Sequence, residues 1–514
     1  MPTKHTKPIY LFTILSLVLL KGIAQDSNQK QNVIYINVDD LGYGDLGVYG
    51  ATKVKTPNID KLASQGIRFT DAHTVSAVCT PSRYAVITGE YPVRNNNLSS
   101  AIFDRDSLII DTNKLTIADV FKQRGYATAC IGKWHLGFGN KRPVDWNKEL
   151  KPGPLELGFD YYYGVPVLNS HPPFVYVENY KVVGLTEDDP LIYGKEAKTQ
   201  PYPEKWNMWD QKIGGADKAH ELYIDNKVGT TLKDKALDYI KENSKKPFFL
   251  YFATTNIHHP FTPDKRFLGT SDAGRYGDFI HELDWIVGKI MQTLDEEGLT
   301  ENTLLILTSD NGGMLNQGGQ DAYAMDHKIN GELLGFKFDA WEGGHRIPFI
   351  ARWPGHIKPQ TVSDALISNV DILATFAAIV NTKIPKGQAV DSQNLLSVLK
   401  NSKDKTGRSE LLIAPNNLNN LALRQGKWMY ISGQGGGGFG AKYQGMHDFG
   451  GPAAFPFTGQ INSDIANGQL KEDAPEAQLY NLEIDPYQHN NVHDENPEIV
   501  KQMKARIEAI KQEH

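Results

Sequence analysis

Two acidic pairs carry the first chemical signal. Asp39-Asp40 stand in "NVIYINVDDLGYGDLGVYG" and Asp310-Asn311 in "NTLLILTSDNGG". Each pair follows a nearly continuous apolar run. Adjacent carboxylates repel one another and resist joint desolvation, so a buried pair usually needs a cation. These side chains offer only oxygen donors, a set that suits a hard ion, Ca²⁺ or Mg²⁺, rather than zinc. One such pair is equally well a turn, because Asp and Asn beside glycine often make turns. Two pairs, each closing a buried strand, favour the metal.

The second signal is "SAVCTPSRYAVITG", which holds Cys79, one of two cysteines in the chain. Pro81 is tolerated at a helix start, and Ser82 to Thr88 can continue the helix until Gly89. Cys79 then lies at a helix N-terminus, where backbone N–H groups and the dipole favour anions. Arg83, one turn on, can point the same way. A thiolate here would be activated, but cysteine enzymes need a His base and usually no hard-metal carboxylates. A Cys79–Cys130 disulfide stays open in an exported chain. Cys130 lies in "YATACIGKW", an apolar run that reads as a buried strand, where free cysteine behaves as a small hydrophobe.

Strands alternating with helices must position these groups. "TPNIDKLASQG" is punctuated as a helix, with Thr56 as N-cap, Pro57 at the first position and Gly66 as C-terminal cap. "DFIHELDWIVGKIMQTLDEEG" has apolar residues at helical spacing and stops at Gly298. The alternation implies an α/β fold with a largely parallel sheet, in which ligands bind beyond the carboxyl ends of strands. Both acidic pairs stand at such ends. The domain reading is a catalytic α/β domain over 25–400 and a C-terminal subdomain over 401–514. The latter has a small antiparallel sheet, a low-complexity loop "GQGGGGFG" and a final helix at roughly 497–511.

Residues 1–24 read as a signal peptide: Lys4 and Lys7 precede an apolar run, and Gly22-Ile23-Ala24 precedes Gln25. The chain is then expected to be exported, periplasmic or extracellular, with no stable membrane anchor. At 514 residues it is longer than one typical domain. Its net charge of −6 speaks against a nucleic-acid surface, so an anionic ligand needs a local basic pocket.

Cys79-Thr80-Pro81-Ser82-Arg83, continuing to Thr88-Gly89, resembles the signature of the formylglycine-dependent sulfatases of the alkaline phosphatase superfamily. The resemblance extends over most of the chain. Asp39-Asp40 and Asp310-Asn311 match the two metal pairs. "GKWHLG" matches the Lys and His motif at Lys133 and His135. "HHP" resembles H-x-P and places its His at His258. "GFKFDAWEGGHRIP" matches the Lys-then-WEGG motif at Lys337, and "LYNLEIDPYQHNN" resembles a C-terminal segment of the family.

The resemblance implies an alkaline-phosphatase-like fold: a large mixed, mostly parallel sheet flanked by helices, with a smaller antiparallel C-terminal sheet. It implies that a maturation enzyme oxidises Cys79 to formylglycine. The hydrated aldehyde, held on Ca²⁺ with Asp39, Asp40, Asp310 and Asn311, would attack the ester sulfur. Arg83, Lys133 and Lys337 would balance the sulfate charge. His258 would protonate the leaving oxygen, and His135 would take a proton as the sulfated diol collapses.

Alternatives come from the residues alone. Lys133 and Lys337 read equally as surface lysines, His135 as a core histidine, and His259 as a rival to His258. Glu342 reads as a loop anchor. The site is expected at a rim rather than in the core. The irregular stretch from Gly158 to Gly215 suggests a pocket rim, with His171, Trp206 and Trp209 as candidate substrate contacts. The expected substrate is a sulfated polysaccharide fragment, an algal galactan or a glycosaminoglycan. A phosphatase, phosphodiesterase or phosphonate hydrolase of the same superfamily, and a non-catalytic glycan-binding relative, are the alternatives. Oligomeric state is left open.

Overall fold

Alternate residues of the first strand, β1 (Asn32–Val38), face opposite ways, and both ways are apolar. Val33 and Tyr35 belong to one core, packed with helices α2 (Cys79–Thr88), α3 (Ile117–Lys122) and α6 (Ile372–Val380). Ile34, Ile36 and Val38 belong to a second core, with α1 (Pro57–Ser64), α4 (Val228–Glu242) and α5 (Gly274–Glu296). A strand covered on both faces has no use for alternation, which is why its sequence is a near-continuous apolar run. Each fully buried Val or Ile contributes about 1.5–3 kcal/mol.

The computed structural model describes residues 30–197, 212–438 and 450–513, besides positions 1 and 3. The proposed signal peptide, Trp206 and Trp209 lie outside the described residues. Among the described residues, no helix is long and apolar enough to cross a membrane.

The main sheet has ten strands. After β1 come β2 (Ile67–Phe69), β3 (Ala127–Gly132), β4 (Tyr161–Gly164), β5 (Val177–Glu178) and β6 (Lys181–Val182). Then follow β7 (Phe248–Ala253), β8 (Thr303–Ser309), β9 (Phe349–Arg352) and β10 (Thr361–Ser363). Their spatial order is β10-β2-β9-β8-β1-β7-β3-β4-β5-β6. The block β8-β1-β7-β3-β4 is parallel, and antiparallel pairs lie on either side of it. Val38 pairs with Ser309, and Asn37, Ala253 and Gly132 lie in register across three strands. The chain therefore leaves four adjacent strands at one level.

Two helix-end expectations are revised. Thr56 occupies the N-cap of α1, but its hydroxyl donates to Asp60 and accepts from the Gly47 N–H. The free N–H groups of Asn58 and Ile59 go instead to Asp284 Oδ1 on α5, both at 2.9 Å. Gly66 is not a left-handed cap; a Cβ there would lie 2.0 Å from the Ala351 carbonyl oxygen. Close packing of α1 on β9 selects that glycine. By contrast α2 ends as expected, at Gly89 with φ 69°.

A four-stranded antiparallel sheet follows: β11 (Glu410–Ile413), β12 (Ala422–Gln425), β13 (Trp428–Ile431) and β14 (Gln478–Asn481). It shares a third core with Val75, Ala85, Tyr91 and Trp341 and with helix α7 (Pro497–Gln512). The Ala414 N–H donates to Val75 O, and the Ala77 N–H returns to Ala414 O. The second sheet thus braces the chain that leads into Cys79.

Asp339 sits in this seam, fully buried, and accepts from the Phe336 and Gly451 N–H groups. Burial pushes its carboxyl up to about 7 against those two donors. The folded state thus holds its proton more tightly than the unfolded chain. The stability this provides is complete below about pH 4 and is lost as pH rises toward 7. Replacing Asp339 with Asn should flatten that dependence. In thermal melts, the fall in Tm between pH 5 and 8 should shrink by about 2 °C; an unchanged fall would show that Asp339 stays ionised.

Candidate active site

Four parallel strand ends deliver most of the site. β1 leads into Asp39-Asp40, β8 into Asp310-Asn311, β3 into Lys133 and His135, and β7 toward His258. Gly132 has φ 118°, and a Cβ there would meet the Ala253 carbonyl oxygen at 1.7 Å. That closeness allows β3 to turn out of the sheet beside β7. The backbone fixes the acidic pairs against one another. The Asp310 N–H donates to Val38 O, the Asp40 N–H to Asp310 Oδ1 and the Leu41 N–H to Ser309 Oγ.

A buried cluster invisible in the motifs holds the following turn. Asp45 accepts from the Gly42 N–H and the Tyr276 hydroxyl, and its other oxygen meets His327 Nε2 at 2.8 Å. Asn330 bridges the Gly313 N–H to the Gly313 and Gly335 carbonyls. These residues lie in unremarkable sequence, so only tertiary contact reveals them.

Three buried carboxylates face three buried cations. Lys133 Nζ donates to both oxygens of Asp39, at 2.9 and 2.7 Å. Lys337 Nζ donates to Asp40 Oδ1 at 2.6 Å. The Arg83 guanidinium lies 2.7 Å from Asp310 Oδ2 and 3.4 Å from Asp39 Oδ1, and donates to the Lys133 carbonyl. Neither lysine is a surface residue. The expectation of a rim site is also corrected: Cys79 is 2% exposed and all of α2 is buried. Burial alone would lower the Lys337 pKa, but Asp40, with Cys79, Asp39 and Asp310, holds it above its usual value. Burial raises the Asp310 carboxyl, with Arg83 the main opposing charge.

The ions leave oxygens over. Asp40 Oδ2 and Asn311 Oδ1 are buried without a hydrogen-bond partner, and Asp310 Oδ2 has only its ion pair with Arg83. Asp39, Asp40 and Asp310 each offer a ligand atom within 4.8 Å of the others. Unpartnered buried oxygens are expensive, and an oxygen-only set is the environment a hard cation requires. The residues therefore fit Ca²⁺ or Mg²⁺.

Cys79 is the first residue of α2, and burial raises its thiol pKa despite Lys133 and Lys337. A protonated thiol argues against a cysteine nucleophile. Both cysteines are free, and Cys130 is a core residue of β3, so no bridge forms.

The imidazoles divide by tautomer. His135 Nε2 is 2.7 Å from the Ile102 carbonyl and must donate to it, which leaves Nδ1 as a buried, unpartnered lone pair. His258 Nδ1 donates to the His259 carbonyl at 2.6 Å, and its Nε2 lies 3.8 Å from Asp40 Oδ2. Burial, then His259, Lys337 and Lys133, hold the His258 pKa well below its usual value. His259 stacks on His258 with ring centroids 4.3 Å apart. His171 packs against Phe103 with the rings tilted by 34° and leaves Nε2 buried without a partner. Burial, Lys133 and Lys337 push its pKa down to about 3.

Carboxylates at strand ends, cations paired with them and neutral imidazoles alongside define a hydrolase for anionic esters. The chain belongs to the sulfatase family, enzymes that hydrolyse sulfate esters; the family's sequence pattern matches residues 31–382. It is 39% identical over 525 aligned residues to an N-acetylgalactosamine-6-O-sulfatase of Bacteroides thetaiotaomicron, covering 98% of this chain and 97% of that one. It is 33% identical to the human N-acetylgalactosamine-6-sulfatase, covering 73% of this chain and 67% of the relative. A solved sulfatase structure from work on glycosaminoglycan metabolism by B. thetaiotaomicron superposes with a TM-score of 0.82 at 38% identity, covering 94% of this chain and all of the other. The alkaline-phosphatase-like fold expected from the motifs is the one observed.

If the unpartnered oxygens hold a divalent ion, the ion stabilises the fold. Adding Ca²⁺ at a hundred times its Kd to chelator-treated protein should raise stability by about 3 kcal/mol. Calorimetry reads this as a higher Tm, and indifference to both Ca²⁺ and Mg²⁺ would rule the ion out. A separate prediction concerns His258→Ala. If His258 protonates the leaving oxygen, kcat on a sugar sulfate should fall on the order of 10²–10⁴-fold. An aryl sulfate, which leaves as a stabilised phenolate, should lose far less. Equal losses on both substrates would remove His258 from that role.

Proposed function

We propose that this sulfatase is exported and removes 6-O-sulfate from N-acetylgalactosamine in glycosaminoglycan fragments, with residue 79 matured to formylglycine and a Ca²⁺ ion bound. The observation that carries the chemistry is the convergence of unpartnered oxygens from Asp40 and Asn311 with the carboxylates of Asp39 and Asp310, beside three buried cations. The substrate reading rests on the named relatives at 39% and 33% identity. That support bears on the glycosaminoglycan class and not on the algal galactans. Export and maturation rest on the first 24 residues and on Cys79-Thr80-Pro81-Ser82-Arg83.

Asp39, Asp40, Asp310 and Asn311 would hold the ion, together with residue 79. Hydrated formylglycine supplies a hydroxyl nucleophile, and a bound divalent ion makes that hydroxyl more acidic. Lys133, Lys337 and Arg83 neutralise sulfate oxygens inside a chain of negative net charge. Burial first, then His259, Lys337 and Lys133, keep His258 neutral at rest. A sulfate group placed between the two lysines offsets their share of that effect and so favours proton uptake at Nε2. That proton then serves the departing sugar oxygen. The free Nδ1 of His135 is the matching acceptor on the nucleophile's side. His171 Nε2, unpartnered close to the two lysines, is free to bond a sugar hydroxyl.

Two measurements test this reading. Mass spectrometry of the peptide carrying residue 79, from protein co-expressed with a maturation enzyme, should show aldehyde in place of thiol. Fully active protein with only unmodified Cys79 would overturn the mechanism. On defined disaccharides, free sulfate should appear from 6-sulfated N-acetylgalactosamine at least tenfold faster than from its 4-sulfated isomer. Reversal of that order would overturn the assigned position.

A further inference from the structure

A second cluster of metal-ligating groups lies behind the site. The two-residue strand Ala72–His73 runs just ahead of the Cys79 segment, and a one-turn helix, Glu342–His345, follows Lys337. Backbone bonds join them: the Thr74 N–H donates to His345 O and the Ile347 N–H to Ala72 O. His73, Glu342 and His345 are all fully buried. Each offers one ligand atom within 4.8 Å of the other two.

The hydrogen bonds around this cluster leave three donor atoms gathered with nothing bound between them. His345 Nε2 is 3.1 Å from the Ala340 carbonyl, which can only accept, so the proton of neutral His345 is on Nε2. His73 Nε2 is 2.9 Å from Asp71 Oδ1, a carboxylate also paired with Arg346 and Arg424. The proton of neutral His73 is therefore on Nε2 as well. The two Nδ1 atoms face each other 3.0 Å apart, and both present lone pairs. An added proton would relieve that repulsion but would satisfy only the nitrogens. Glu342 Oε2 meets Arg346 at 3.1 Å, whereas Oε1 is buried with no partner.

We propose that His73, His345 and Glu342 bind a cation of the zinc class, as a site separate from the oxygen-only set around Asp39. Two imidazole nitrogens and one carboxylate oxygen are donors of the zinc type. In a tetrahedral site with Zn–N of about 2.0–2.1 Å, two nitrogen ligands stand about 3.3 Å apart, within a few tenths of the separation here. Each ligating imidazole already has an acceptor for its other N–H, Asp71 for one and the Ala340 carbonyl for the other, which orients ring and tautomer. The donor sets differ in hardness, so calcium and zinc need not compete. The ion joins the approach to Cys79 to the segment after Lys337. Arg424 on β12, and Gln488, which accepts from the Glu342 N–H, tie the second sheet to the same point. The proposal does not depend on the chemistry of residue 79.

The test uses the untagged full-length protein in excess Ca²⁺, supplied with Zn²⁺ or Co²⁺ and then desalted. About one equivalent of either metal should remain by elemental analysis. The Co²⁺ form should show a tetrahedral visible band, and X-ray absorption should show imidazole ligation. His345→Gln and Glu342→Gln should each weaken retention at least tenfold, whereas Asp310→Asn should keep the band. Failure of the wild-type protein to retain either metal would overturn the site, as would loss of the band in Asp310→Asn or its persistence in His345→Gln. Should the His345 and Glu342 variants not fold, the wild-type spectrum decides: oxygen-only ligation refutes the proposal.

Discussion

Three carboxylates that cannot reach water govern the architecture of this site. Asp39, Asp40 and Asp310 are enclosed at adjacent strand ends, where each charge would be forbiddingly costly alone. Lys133, Lys337 and Arg83 supply three positive charges against three negative ones. Adding a divalent ion would leave a surplus of two. A sulfate ester carries one negative charge and free sulfate carries two, so such a site grows more complementary as the ester bond breaks. Binding energy that rises along the reaction is the kind that lowers its barrier. A chain of negative net charge can thus handle an anion, because the attraction is local and buried.

That balance holds only if the groups stay aimed. The structure provides rigidity at two distances. Nearest are backbone donors to carboxylates and the Asp45–Tyr276–His327 cluster under the turn after Asp40. Further out, the second sheet lies against the chain entering α2, and Trp341 Nε1 donates to Gln478 on β14. The carboxylates therefore stand at the ends of a sheet packed on both faces, where side chains can be held to within fractions of an ångström. Asn169, on an irregular segment, donates to the His258 carbonyl.

Much of this was legible in the sequence, for a physical reason. Residues that do chemistry at a strand end interrupt an apolar run with adjacent charges, and Asp39-Asp40 and Asp310-Asn311 do so conspicuously. The helix starting at Cys79 was also legible, because Pro81 and Gly89 mark its ends. Burial was not: a lysine beside Phe338 looks the same whether it faces solvent or Asp40. Nor were partners distant in sequence. Asp284 caps α1 from another helix, and His73 meets His345 across 272 positions. The antiparallel neighbours β2 and β9 are too short for periodicity to give their direction. Single residues such as Asn330 hold loops together without belonging to any pattern.

The two acidic pairs also impose an order on the chain's birth. Asp40 and Asp310 touch across 270 positions. Strand β1 lies between β7 and β8, both made much later. During synthesis β1 must wait, unpaired on both edges, until about half the protein exists. Contacts of such long range close slowly, since the intervening chain loses its freedom before the pairing repays it. Through that interval α2 has no sheet to lie against, and the segment bearing Cys79 is open to any protein that can reach it. Once β8 docks, that opportunity ends. The helix that is wholly enclosed in the finished molecule is thus reachable only before β8 docks, and any modification of residue 79 would have a deadline set by the arrival of Asp310.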